Sequence, residues 1–171
     1  MSVVRFIADL HFGHKSVAQW RGFNDEFYQD NQIIKNWNNV VHKKDLTYIL
    51  GDVTMESKEY YYNLAALNGR KIVVMGNHDD PRHVEELLKY VDRVAGMMRY
   101  SSKKYGKFFL THCPIHPMEL EYRVQYNIHG HIHQKMVLDK EGKPDKRYIC
   151  VSCEHVDYTP KTLEELLGDG R

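Results

Sequence analysis

Five short apolar runs, residues 3–8, 46–50, 71–75, 107–110 and 126–128, each end in a cluster of polar side chains able to bind metal. The clusters read Asp9-Leu10-His11, Gly51-Asp52, Gly76-Asn77-His78-Asp79, Thr111-His112 and Gly130-His131-Ile132-His133. Runs this short, rich in β-branched and aromatic residues and bounded by turn residues, read as strands. In open α/β sheets the loops after the carboxyl ends of strands converge, and ligands bind there. Five repetitions of the same placement predict a sheet-based chain whose donors gather along one edge.

The segments between the runs fill in the architecture. Residues 25–41 carry Ile33, Ile34, Trp37, Val40 and Val41 on one helical stripe, and residues 57–67 carry Tyr61, Leu64 and Ala65. A third helix opens at Pro81 and runs to residue 90, with Val84, Leu87 and Leu88 sharing a face. Strand, helix, strand, helix, strand predicts a parallel core. Residues 93–110 and 134–153 then read as antiparallel hairpins around polar turns at 101–106 and 139–145. Thr162, with Glu165 three residues on, is a capping box that opens a short helix ending near Gly168. The expectation is an α/β (α+β) chain, with two mixed β-sheets forming a sandwich flanked by helices. With 171 residues, one domain over 1–171 is expected.

Charge and cysteine usage narrow the function classes. The 24 basic and 23 acidic residues are scattered and leave a net charge of +1, which is not the electrostatic footprint of a protein that grips long nucleic acid. No stretch approaches the roughly 18 consecutive apolar residues of a membrane span. Met1 leads straight into residues 3–8 without the basic and long apolar regions of a secretory leader. Cys113, Cys150 and Cys153 give no even-numbered disulfide framework. Cys150 and Cys153 lie in a strand-like run where positions three apart face opposite ways, so they read as buried thiols. A cytoplasmic protein follows as the expectation.

Histidine is the one anomaly: of eleven, eight fall in four tight clusters. Asp9 and His11 are two apart, as are His131 and His133, and extended backbone would place both members of each pair on one side. Asp9, His11, Asp52, Asn77, His112, His131 and His133 form a donor set of carboxylate, imidazole and amide oxygen without thiolate. Such a set suits manganese, iron or zinc better than a structural zinc knuckle. Seven donors exceed the needs of one ion, and two ions sharing a carboxylate are the arrangement that serves phosphoryl transfer.

In this order, D-x-H, G-D, G-N-H-D, a lone H and G-H-x-H resemble the signature of calcineurin-like metallophosphoesterases. Asp9-Leu-His-Phe-Gly-His14, Arg21-Gly-Phe, Asn36-Trp37-Asn38 and Asn68-Gly-Arg-Lys are similar to the small single-domain bacterial and phage members. The resemblance implies two divalent metals, Mn²⁺ first among Fe, Zn, Ni and Mg. Asp9, His11, Asp52 and His133 would hold one, and Asp52, Asn77, His112 and His131 the other, with Asp52 as the catalytic bridge. It implies in-line attack of a metal-bridging hydroxide on a phosphomonoester or phosphodiester, with His78 supporting the leaving oxygen. The substrate class is a small phosphate ester, nucleotide-derived esters included. Protein phosphatases of the superfamily continue G-D as G-D-x-V-D-R-G, whereas Asp52 is followed here by Val-Thr-Met-Glu-Ser. That disfavours protein substrates and leaves the partner of His78 open between Asp79 and Glu56.

Two further residues are candidates for substrate binding. His14 is read either as facing phosphate or as a helix-start histidine packed on Phe12, and Arg21 either as a phosphate clamp or as a surface charge. His116 carries the same ambiguity as Arg21, His129 reads as structural, and the run Tyr60, Tyr61, Tyr62 reads as helical packing with one or two exposed rings. The rival functions are a nuclease on DNA or RNA, which would need a basic groove, and a non-catalytic metal-binding scaffold, which the complete donor set argues against.

Overall fold

A computed structural model describes residues 2–168. Strands β1 (Val4–Ile7), β2 (Leu46–Ile49), β3 (Arg70–Val74) and β4 (Arg93–Ala95) form one sheet in that order, all parallel. Strands β5 (Met98–Ser102), β6 (Gly106–Leu110), β7 (Tyr126–His129) and β8 (Tyr148–Cys150) form the second. Only β5 and β6 pair antiparallel there; β6, β7 and β8 run parallel. Chain following β8 reaches the first sheet: the amide of Ala8 donates to the carbonyl of Val151 and that of Cys153 to the carbonyl of Ala8. The apolar core includes Phe6, Ile7, Trp37, Ile49, Val73, Phe108, Leu110 and Ile128. Each such fully buried side chain contributes about 1.5–3 kcal/mol over its exposed state.

The five expected strands are all present. Of the two expected hairpins, the first is real only as β5–β6, because residues 93–95 join the first sheet beside β3 instead. The second shrinks to a single antiparallel bridge, Leu138 to Pro144, since Tyr148–Cys150 pairs parallel with β7. A two-residue turn cannot link parallel neighbours, so the long connection from β7 to β8 is required.

Helix α1 (Lys15–Trp20) is short, and α2 (Glu26–Val40) is capped by Asp25, whose side chain accepts from the amide of Tyr28. Buried Trp37 on α2 donates its indole N–H to Asn68 O, and Asn38 bonds both Ala66 O and the amide of Asn68. The Asn-Trp-Asn segment thereby anchors the loop that feeds β3. The helix expected over 57–67 is a 3-10 run, Tyr61–Ala66, with Tyr61, Leu64 and Leu67 inward and Ala65 outward. Three residues per turn put positions i and i+3 in register, so spacing by threes selects the tighter helix. The helix from Pro81 likewise starts as a 3-10 turn and continues as α3 (Val84–Leu87); Leu87 is buried, while Leu88 is exposed. The terminal helix α4 (Leu163–Leu167) has the expected capping box of Thr162 and Glu165.

Candidate metal centre

The polar clusters meet where the strands end. Asp9, His11 and Asp52 are 0, 1 and 2 % exposed, and His112 is also buried. Donor atoms of Asp9, His11 and His133 lie within 4.8 Å of one another, as do those of Asp9, Asp52 and His112. His11 stacks against His133 at 5.4 Å between ring centroids, and His112 meets His131 edge-on at 5.1 Å. Asn77 Oδ1 is 2.9 Å from His112 Nε2. All seven expected donors therefore gather, in two groups joined through Asp9 and Asp52. Cys113, exposed, brings its Sγ within the same range of His112 and His131, a thiol that the thiolate-free reading had left out.

The convergence is not achieved by extended backbone. Asp9, His11, Asp52, His131 and His133 have φ of 58°, 49°, 52°, 70° and 50°, a left-handed region that costs a non-glycine residue about 1–2 kcal/mol. The strands stop before the donors, and each turn then re-aims its side chain; strain of this kind persists where surrounding contacts over-determine it. Asp9 and His11 still share one donor group, whereas the two histidines of the His-x-His pair diverge, His131 beside His112 and His133 beside His11. Gly76 and Gly130 allow this crowding: a Cβ on Gly76 would overlap the Asp52 carboxylate, and one on Gly130 would overlap Asp9 and Ala8.

The hydrogen bonds fix which atoms face inward. His112 Nδ1 is 2.8 Å from Leu50 O, which makes it the donor and turns the Nε2 lone pair toward Asn77 Oδ1 and, at 3.3 Å, Asp52 Oδ2. Three acceptors facing one point call for a proton or a cation between them. His11 is more telling, because neither ring nitrogen has a hydrogen-bond partner although both are buried. Burial lowers its pKa to about 3, with the Arg21 charge adding to the effect, so the imidazole is neutral and its lone pair is available. Buried polar atoms are normally bonded, and a divalent cation fits these donors.

Support comes from residues the sequence reading did not select. Ser152 Oγ donates to Asp9 Oδ2 at 2.6 Å, and the amide of His131 donates to the same carboxylate. Glu154 Oε1 lies 3.1 Å from His133 Nδ1 and accepts from Arg21 Nε at 2.7 Å. Burial opposes ionisation of Glu154, but the His133 hydrogen bond and the Arg21 guanidinium hold its pKa down to about 2. The carboxylate thus accepts the hydrogen bond of His133 Nδ1–H, holding the proton on Nδ1 and leaving Nε2 for the centre. Ser152 and Glu154 are two apart just beyond β8, the same placement that marked the other clusters, and this was the available signal.

Arg21 does not reach toward a phosphate. Its side chain is 0 % exposed and donates to Asp9 O, Leu10 O, Gln29 Oε1 and Glu154. An arginine with its guanidinium spent on two carbonyls, an amide and a carboxylate holds the first ligand loop in place; the clamp reading is corrected. His14 caps α1, accepting from the amide of Val17 through Nδ1 at 3.1 Å, while its ring lies 6.3 Å from that of His11. His14 is thus a helix-start histidine, with its ring on the side of the donor cluster. His116 caps a 3-10 turn, and buried His129 bonds Gly130 O. Tyr61 is core, Tyr62 is exposed and Tyr60 packs against the core.

His78 stands at the rim, its ring 6.1 Å from His11. Its amide donates to Asp52 Oδ1, and its carbonyl accepts from the amide of Glu56. Of the two carboxylates considered as its partner, Asp79 is buried and spent on the amides of Asp52, Val53 and Gly76. Glu56 Oε1 is 3.5 Å from His78 Nδ1.

Comparison with known proteins agrees with this geometry. Residues 3–108 match the family model described as calcineurin-like phosphoesterase. A protein of Methanocaldococcus jannaschii named "Uncharacterized protein MJ1445" is 32% identical, covering 96% of this chain and 89% of its own length. The Gene 66 protein of Mycobacterium phage L5 is 31% identical over 82% of each chain. The crystal structure of AQ665 from Aquifex aeolicus, titled a protein of unknown function, superposes with a TM-score of 0.72 at 29% identity, covering 96% of this chain and 97% of that one. No helix among the described residues is long and apolar enough to cross a membrane. The chain belongs to the calcineurin-like phosphoesterases and is a metal-dependent phosphoric ester hydrolase.

Proposed function

We propose that the chain hydrolyses a small phosphate ester at a two-metal centre, with Asp9, His11, Asp52 and His133 on one ion and Asp52, Asn77, His112 and His131 on the other. The observation that carries this reading is the pair of donor groups joined by buried carboxylates, with both buried ring nitrogens of His11 lacking a hydrogen-bond partner. Divalent cations, Mn²⁺ first among the candidates, would supply charge stabilisation for the phosphoryl oxygens and an activated water. Asp52 joins the groups: Oδ2 faces His112 and His11, while Oδ1 is held by the amide of His78.

The chain's own groups then order the reaction. In this reading the imidazole of His78 donates to the leaving oxygen, a contribution of about 10²–10⁴ in rate for a positioned acid. Glu56, whose Oε1 lies 3.5 Å from Nδ1 without a hydrogen bond to it, is the carboxylate that would take the part of the G-D-x-V-D-R-G aspartate by closing that gap. His14, with Nδ1 committed to Val17, presents Nε2–H as a second donor for phosphate. Nothing in the charge balance favours a long polyanion, so small esters are preferred over DNA or RNA.

The test is hydrolysis of paired chromogenic phosphomonoester and phosphodiester by metal-stripped protein with Mn²⁺, Mg²⁺, Zn²⁺ or Fe²⁺ restored. Metal-dependent turnover that falls about 10³-fold or more in Asp52→Asn, matching the several kcal/mol a metal supplies, is expected. His78→Ala should lose about 10²-fold or more in kcat, and Glu56→Gln a smaller part of the same loss with KM nearly unchanged. Turnover that survives Asp52→Asn would contradict the two-metal assignment, and tight metal binding without turnover on any ester would favour the scaffold.

A further inference from the structure

Trp20 closes α1 and leaves 54 % of its surface exposed, although an aromatic of this size contributes most to stability when buried. The indole meets His133 in a T-shaped contact, with centroids 5.4 Å apart and planes at 79°. His133 in turn stacks on His11. An exposed aromatic ring therefore stands one imidazole away from the buried carboxylates of the centre. It is held there, since the next residue, Arg21, is anchored to Asp9 O, Leu10 O, Gln29 and Glu154. Across the first ligand loop, the ring of Tyr60 lies against Gly13, so close that a Cβ there would overlap it, and exposed Tyr62 follows at 6.3 Å.

We propose that Trp20 is the stacking wall of a leaving-group subsite, and that the esters best cleaved carry a planar aromatic group, a nucleobase or aryl ring, beside the phosphate. This rests on the phosphoesterase reading, which places phosphate at the metal centre. A T-shaped contact uses one edge or face of the indole, and more than half of the side chain stays open for a second ring. Stacking is the recognition such a surface offers, since every base has a π-face and stacking tolerates changes of base. The near-neutral chain, with its scattered charges, has no basic tract to supply affinity by electrostatics instead.

The test compares kcat/KM for an adenosine phosphate ester and the corresponding glycerol phosphate ester, in the metal-loaded parent, Trp20→Ala and Trp20→Phe. Any disturbance of His133 acts on both esters and cancels in their ratio. The adenosine-to-glycerol ratio should fall about tenfold or more in Trp20→Ala, through KM, and be largely restored in Trp20→Phe. An unchanged ratio overturns the subsite while leaving the hydrolase reading intact. The second arm needs no turnover: the chain has two tryptophans, and Trp37 is fully buried. A non-hydrolysable phosphonate analogue of the adenosine ester should quench the exposed Trp20 emission, and the glycerol analogue should not. If no ester is turned over by the parent, the phosphoesterase reading falls, and equal quenching by both analogues, or by neither, overturns the stacking wall.

Discussion

The two halves of the proposed metal cluster are built differently. The half formed by Asp9, His11 and His133 is enclosed: Asp9 and His11 are buried, and Ser152, Glu154 and Arg21 each fix a donor or its loop. In the other half, Asn77 and His131 are exposed, and the buried, locked donors are His112, through Leu50 O, and the shared Asp52, through the amide of His78. A donor held in place before binding loses less freedom when it binds, so the enclosed half is the tighter site. The open half keeps its donors accessible to substrate oxygens. On the proposed two-metal reading, unequal halves predict that one ion stays and the other exchanges.

The largest effect expected from breaking this contrast is in Asp9→Asn. The enclosed half loses a charge that also accepts from Ser152 and the amide of His131, and calorimetry should show the tight binding event gone together with about 10³-fold or more of the activity. Glu154→Gln comes next. Without a carboxylate on His133 Nδ1, affinity at the enclosed half should drop about 10–100-fold, while the weaker event stays where it was. Equal weakening of both events in Glu154→Gln would break the division into halves.

Asn77→Ala sharpens the comparison from the other side. The weaker event should lose about tenfold in affinity, toward the low end of that range, with the tight one unmoved. The smallest effect concerns the ground behind the enclosed half, where Asp30 accepts from the amide of Gly13 and from Asn63 Nδ2 while its Oδ1 has no partner. Burial raises its pKa to about 6 from 3.8, against the pull of those hydrogen bonds. For a carboxyl raised in the folded state, the stabilisation is fully present below the unfolded value and is lost as pH rises through the folded one. Denaturant melts of parent and Asp30→Asn should therefore show the variant gaining about 2 kcal/mol relative to the parent between pH 4 and pH 7, after discounting for solvent screening. A pH-independent difference would contradict the assignment.

Much of this was legible in the sequence, because the placement of Asp9, Asp52, Asn77, His112 and His131 after apolar runs is a property of chain order alone. The capping box at Thr162 was legible for the same reason, as a local pattern with a local cause. What escaped depends on tertiary contact. Left-handed φ at five donors is only weakly marked, since aspartate and histidine visit that region more often than most residues but still do so uncommonly, and tertiary contacts decide where. Arg21 looks like a surface charge until Glu154, 133 positions later, meets it. The parallel pairing of β8 was hidden because a strand-like run after a polar turn reads equally as the return of a hairpin.

Titration of metal-stripped protein with Mn²⁺, followed by calorimetry and by ester hydrolysis in the same samples, tests the central claim most directly. The account predicts two binding events of clearly different affinity, with turnover rising only as the second, weaker event fills. A single event, two events of equal strength, or full turnover with one ion bound would contradict it.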